Sequence, residues 1–274
     1  MQLPNINKKR IISLLKNEER LDGRELHDYR ILKIQGNVSN KAEGSARVWI
    51  GKTDVIVGVK LDVQEPYPDH DDEGTLIVSM EFSATAGERH ESGPPQIDAI
   101  EIARIVDRGI RESGFIDWKK LCIKKGEKVW AINIDIYCLN DDGNVLDASA
   151  IGAITALKLS KMAVYDKKEE KVKFGELSND NIPLTANIPF TTTYYKIGEK
   201  FIVDPNRDEE DAAEARLTIA ISSFKKEKII HAMQKGGEIP ITENEIKEII
   251  DKVDKNYDKI FSDIKIMINE LEKI

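Results

Sequence analysis

Residues 128–164 restrict the fold more than any other stretch, because two different periodicities meet there across a four-residue turn. From 128 to 139, Val129, Ala131, Asn133, Asp135 and Tyr137 alternate with Trp130, Ile132, Ile134, Ile136 and Cys138. Successive side chains of a strand point to opposite faces, so this run is a half-buried strand. The sequence DDGN at 141–144 turns the chain. Residues 146–164, LDASAIGAITALKLSKMAV, are rich in Ala, Gly and Ser, which are small enough to let a helix lie close on a sheet. Strand, turn and helix form one unit, and the remaining elements must build around it.

Period-two runs also occupy 30–35, 45–50 and 54–61, separated by Gly-containing turns, and read as sequential antiparallel strands. Residues 74–84 add another after a polar loop at 66–73. Pro94 and Pro95 delay the next helix to about Gln96. Within 97–113, Ala99, Ile102, Val106 and Ile110 fall inside about 80° of arc, whereas Arg104, Arg108 and Arg111 fall inside about 60° on the opposite side. One face is core and the other is a guanidinium stripe. An N-terminal helix is expected over 6–18, followed by the charged turn RLDGR at 20–24.

The polar region 165–188, with residues 167–173 mostly charged, marks its element boundaries most weakly of the whole chain. Four short strands follow, at 190–195, 200–203, 216–223 and 228–234. Thr242 and Glu245 then make a capping box for an amphipathic helix of about 30 residues, on the order of 45 Å long. Two β-rich halves carrying helices predict an α+β fold. The expected organisation is a single domain over 1–274, with an N-terminal helix and arm (1–28), a first half (29–165) and a second half (166–274).

The stretch 203–221, VDPNRDEEDAAEARLTIAI, places five carboxylates within 204–211 and runs into a strand. Such a density suits Mg²⁺ binding, and equally suits a solvated acidic turn that caps a helix. Elsewhere the chemistry is sparse. His27, His70, His90 and His231 are scattered without ligand spacing, so no metal site is assigned. Cys122 and Cys138 sit in strand-like runs and read as small buried hydrophobes. Ser149 lies in no GxSxG context, and Trp49 and Trp130 read as core. The formal net charge of −8 excludes a nucleic-acid binder acting by bulk attraction, so any such contact must come from a local patch or a partner's surface. No run reaches the roughly 18 apolar residues of a membrane span. The opening MQLPNINKKR lacks the apolar core of a signal peptide, so a cytoplasmic protein without a membrane partner is expected.

The segments RLDGR (20–24), GSARVWIGKTDVIVGVK (44–60), GTLIVSMEFS (74–83), GPPQIDAIEIARIVDRGIRES (93–113) and VWAINIDIYCLNDDGNVLDASAIGAITAL (129–157) together resemble the RNase PH family. Within it the chain is similar to the non-catalytic ring subunit of the archaeal exosome. The resemblance implies the RNase PH-like fold (ribosomal protein S5 domain 2-like), with duplicated βαβα halves and a long C-terminal helix. It also implies phosphorolytic 3′-to-5′ trimming of RNA by a heterohexamer of three heterodimers. The implied partners are a catalytic RNase PH-like subunit, an S1-domain cap protein and single-stranded RNA.

Three positions bear on catalysis. Active members carry a phosphate-holding Arg before the helix, where this chain has Val145 or Leu146. They carry adjacent arginines where this chain has Pro95 and Gln96. Their spaced acidic pair falls on Glu210 and Arg216, and a cation at the second position repels a divalent metal. The expectation is therefore no catalytic residue, no metal site and no cofactor here, with Mg²⁺ and inorganic phosphate at the partner's site. Arg104, Arg108 and Arg111 are the expected RNA-binding residues, and the acids of 204–211 reduce to a solvated turn between strands. The competing expectation is an exoribonuclease active on its own, with Asp204, Asp208 and Asp211 replacing the lost pair.

Overall fold

The chain was analysed as a computed structural model, and the structure describes residues 5–166, 168–224 and 227–273. Residues 1–4 of the arm and Lys167 of the charged run lie outside the described residues. Helix α1 (Asn5–Lys16) opens the chain. Strands β1 (Leu32–Gly36), β2 (Gly44–Ile50) and β3 (Thr53–Gln64) follow as an antiparallel meander, with Ile34 opposite Val48 and Val48 opposite Val55. The buried side chains of β3, Val55, Val57, Val59 and Leu61, alternate with half-buried ones, as the period-two pattern requires.

The antiparallel succession ends at β4 (Thr75–Phe82), contrary to the sequence reading. The chain crosses through α2 (Ile97–Glu112), a 3₁₀ turn at Trp118–Leu121 and β5 (Cys122–Lys124). It returns as β6 (Lys128–Asn140), which inserts between β3 and β4. β6 is antiparallel to β3 and parallel to β4. A parallel pair needs a long crossover, and α2 supplies it.

Helix α3 (Val145–Leu159) is buried without a break from Val145 to Leu157, between this sheet and the sheet of the second half. Its small residues serve the close approach anticipated: a Cβ on Gly152 would stand 2.6 Å from Val57 Cγ2. The helix stops five residues short of the sequence expectation, because 161–166 form strand β7 (Lys161–Asp166). β7 pairs with β8 (Lys171–Asn181) in a two-stranded ribbon that the polar composition concealed.

Strands β9 (Phe190–Ile197), β10 (Lys200–Val203), β11 (Ala215–Phe224) and β12 (Glu227–Gly237) form the second sheet in the order β10-β9-β11-β12, all antiparallel. A short helix, α4 (Arg207–Ala212), links β10 to β11. Helix α5 (Glu243–Leu271) starts at the expected capping box, where Thr242 Oγ1 accepts from Glu245 N, and packs Phe261 flat on Phe190 at 4.8 Å. One core runs between the two sheets through α3 and α5, while Ile11 and Leu15 of α1 seal a smaller cluster against Tyr195, Ile197 and Ile202. Trp130 is buried as expected. Trp49 is not: it lies half-buried, with Arg47 stacked over its ring at 4.7 Å.

Candidate nucleic-acid interface and a remodelled pocket

The acidic stretch does not form a solvated turn. Asp204 and Glu209 are buried, and both are enclosed by arginines from the N-terminal arm. Arg20 donates from Nε and Nη2 to the Glu209 carboxylate (3.0 and 2.5 Å) and from Nη1 to Val203 O (3.0 Å). Arg30 grips Asp204 through its backbone N, Nε and Nη2 (2.7–2.9 Å), and Arg24 Nη1 adds a contact at 3.0 Å. Asn144 donates from Nδ2 to Asp204 Oδ1 (2.9 Å). The arm, the turn before α3 and the entry to α4 are thereby held together. Asn206 and Glu209 complete a capping box on α4. The turn before α3 is steeply folded: Gly143 has φ +87°, and a Cβ there would meet Pro205 O at 2.6 Å.

Beside this knot lies a cavity of about 190 Å³ whose lining includes Val145, Leu146, Glu210 and Arg216, so two of the three positions singled out in the sequence converge, while Pro95 and Gln96 line a separate cavity. Their chemistry is self-compensated. Arg216 Nη2 pairs with Glu101 Oε2 of α2 at 2.7 Å. Glu210 accepts from Tyr195 Oη (2.9 Å), and burial pushes its carboxyl above the usual range despite the nearby Arg207. Arg207 Nη1 donates to Asp141 Oδ2 (3.0 Å), whose carboxylate also meets His90 Nε2 (3.0 Å). Burial would raise the Asp211 carboxyl, but hydrogen bonds from Arg89 (2.7 and 3.1 Å) and Arg207 outweigh it and hold it below its ordinary value.

Most charged groups of this set pair with one another. Among the described residues no three His, Cys, Asp or Glu side chains come together as ligands. At the position of the family's phosphate-holding Arg the pocket offers the aliphatic, buried Val145 and Leu146; of its guanidiniums, Arg89 and Arg207 are paired with carboxylates, whereas Arg216 pairs with Glu101 through Nη2 and leaves Nη1 without a partner among the described residues. Nor do Asp204, Asp208 and Asp211 assemble a substitute site. Asp204 is buried against Arg24, Arg30 and Asn144, Asp211 faces Arg89 and Arg207, and Asp208 is exposed.

The arginine stripe divides in two. Arg111 donates to both Asp107 oxygens (3.1 and 2.7 Å) and to Leu76 O (3.0 Å), and its guanidinium lies 5.9 Å from the Trp118 ring, so it braces α2 against β4. Arg104 and Arg108 are exposed and make no ion pair or side-chain hydrogen bond among the described residues. Of the carboxylates within helical reach, Glu101 is engaged by Arg216 and Asp107 by Arg111, while Glu112, one turn beyond Arg108, is exposed and makes no ion pair among the described residues. Both arginines line a cavity of about 390 Å³ between α2 and β12. Sequence reading found the stripe but missed Arg89, His90, Asp141, Arg207 and the arm arginines, whose partners lie far away in the chain. The one local signal was the Asn206-to-Glu209 capping spacing.

Residues 28–163 match domain 1 of the 3′ exoribonuclease family and residues 187–252 match its domain 2. The chain is 46% identical over 250 residues to the exosome complex component Rrp42 of Methanosarcina mazei, covering 91% of this chain and 90% of that protein. It is 42% identical over 249 residues to the Rrp42 component of Archaeoglobus fulgidus, with 91% and 92% covered. Among solved structures, it superposes on a chain of the Archaeoglobus fulgidus exosome with RNA bound to the active site. That match has a TM-score of 0.84 and 40% identity and covers 94% of this chain and 98% of the other. An archaeal exosome core matches with a TM-score of 0.80 and 39% identity, covering 95% and 97%. Rice Rrp46, at 15% identity and a TM-score of 0.65 over 91% and 100%, shares the fold. The two sheets, the buried α3 and the long α5 are the RNase PH-like α+β arrangement, and the chain belongs to the 3′ exoribonuclease (RNase PH) family.

Proposed function

We propose that this chain is a non-catalytic ring subunit of a phosphorolytic 3′-to-5′ exoribonuclease complex in the cytoplasm. It alternates with a catalytic RNase PH-like paralogue in a hexamer of three heterodimers capped by an S1-domain protein. Mg²⁺ and inorganic phosphate belong to the paralogue's site, and Arg104 and Arg108 of this chain hold the phosphates of single-stranded RNA on its way there. The observation that carries the reading is the Arg216–Glu101 ion pair. It puts a cation where the family's second carboxylate would stand, and it draws away the acid one turn from Arg104. Phosphate contacts of this kind hold and steer a strand without reading its sequence.

Two measurements test it. The isolated chain, given single-stranded RNA, Mg²⁺ and inorganic phosphate, is expected to release no nucleoside diphosphate, whereas the complex with the paralogue does; release by the isolated chain would refute the assignment. Replacing Arg104 and Arg108 with Ala in the complex is expected to weaken RNA binding and to flatten the salt dependence by about 0.7 per lost contact. Unchanged affinity and slope would remove these residues from the RNA path.

A further inference from the structure

The cavity between α2 and β12 has two kinds of wall. Ile100 and Ile105 of α2 face Ala232 and Met233 of β12 across an aliphatic cleft, and Arg104 and Arg108 stand in the same helical wall. Its volume of about 390 Å³ falls at the small end of ligand sites, which span roughly 300 to 1,000 Å³. It therefore has room for a single flat group with a polar appendage. The two guanidiniums are one helical turn apart, a rise of about 6 Å, which suits neighbouring phosphates of one extended strand. Gln234 also lines the cleft; its amide Nε2 makes one long bond, to Lys235 O at 3.4 Å, and its Oε1 accepts none among the described residues.

The cleft stays open for identifiable reasons. Gly109 brings α2 down onto β11, since a Cβ there would stand 3.3 Å from Ala220 Cβ. Ala220 and Ala232 lie opposite each other in the β11–β12 ladder and leave the floor without bulk. The Arg216–Glu101 pair ties the far end of the wall to the second sheet.

We infer that this cleft receives one nucleobase of the single-stranded RNA whose phosphates Arg104 and Arg108 hold, with Gln234 at the base edge. The inference rests on the RNA-binding reading above. Charge complementarity selects the occupant: two unneutralised arginines on a protein of net charge −8 attract a polyanion, and the aliphatic walls beside them accept the uncharged base attached to it. With no aromatic ring in the cleft, stacking is replaced by aliphatic contact, so any base enters and the effect lies at the weak end of base-holding sites.

The test uses the complex reconstituted with the catalytic paralogue and a set of RNA oligonucleotides in which one abasic residue is walked along the strand. On the unmodified complex, one abasic position is expected to weaken binding about fivefold. Ala232→Phe fills the cleft without changing any charge. It is expected to lower affinity for intact RNA by a similar factor, to leave the salt slope unchanged, and to abolish the abasic effect. Met233→Ala provides a second, milder variant on the same wall and should lower affinity by about half as much on a logarithmic scale. An abasic walk without a weak position, or an Ala232→Phe complex that binds RNA normally while Arg104→Ala still weakens it, overturns the base cleft and leaves the arginine reading standing. Loss of both arginine and cleft effects overturns both. If Ala232→Phe prevents the complex from assembling, as sizing would reveal, the cleft is a seat for the paralogue and the inference is wrong.

Discussion

Asp147 shows how an individual carboxylate is tolerated in the core. It lies fully buried in the first turn of α3 and accepts from Thr193 Oγ1 (2.8 Å), Tyr29 Oη (2.8 Å) and Thr193 N (3.3 Å). Burial pushes its pKa up to about 6 from 3.8, against the pull of those donors. A carboxyl whose folded pKa is raised favours the folded state fully below pH 3.8 and loses that contribution as pH rises through about 6. The loss is about 3 kcal/mol at 1.36 kcal/mol per unit. In urea unfolding of wild type and Asp147→Asn at pH 4 to 8, the stability of the variant relative to wild type is expected to climb across pH 4 to 6 and then level off. A difference that stays flat over that window would show that Asp147 does not titrate there. Nothing in the sequence distinguishes Asp147 from the exposed acids. Its burial follows from α3 lying between two sheets, and its donors come from 118 residues upstream and 46 residues downstream.

At the level of elements, capping, periodicity and the antiparallel β1–β3 meander were legible, whereas the insertion of β6 between β3 and β4 was not. Thr242 and Glu245 announce α5 locally, and the structure has both reciprocal bonds, with Glu245 Oε2 accepting from Thr242 N at 2.8 Å. Thr242→Ala should therefore destabilise the chain by about 1 kcal/mol, read as a shift in urea midpoint at constant m-value; no shift would mean that the packing of Phe261 on Phe190 alone fixes the helix start. The β7–β8 ribbon stayed hidden because its side chains are mostly exposed and polar, so no apolar period marks it. The end of α3 was obscured because Ser160, Met162, Ala163 and Val164 prolong the small-residue pattern past the true stop at Leu159. α4 was lost for the opposite reason. Its acids read as water-facing, whereas Glu209 is buried against Arg20, 189 residues earlier in the chain. The α2 stripe was visible as a stripe, but only the fold revealed that Arg111 is occupied while Arg104 and Arg108 are not.

Across the whole molecule, the charged knot of Arg20, Arg24, Arg30, Asp204 and Glu209 joins the apolar contacts of Ile11 and Leu15 in fastening the N-terminal segment to the second half. Arg20 and Glu209 are both essentially inaccessible to water, so neutralising one leaves the other as a buried unpaired charge. Glu209→Gln is expected to cost about 3 to 5 kcal/mol, a large share of the total stability of a typical domain. Urea unfolding of the isolated chain measures it, and a loss below about 1 kcal/mol would show that water or the Val203 and Asp204 carbonyls compensate Arg20 unaided. The same knot bears on the order in which the protein can be made. Its two sides are separated by 189 residues between Arg20 and Glu209, so the arm leaves the ribosome long before its acids exist. At roughly 5 to 20 residues per second, Arg20 and Arg30 wait on the order of 10 to 40 s for Glu209 and Asp204, whereas Arg24 has Asp22 beside it from the start. During synthesis this chain carries a basic, unclasped N-terminal arm, and the clasp closes only when the second half has emerged.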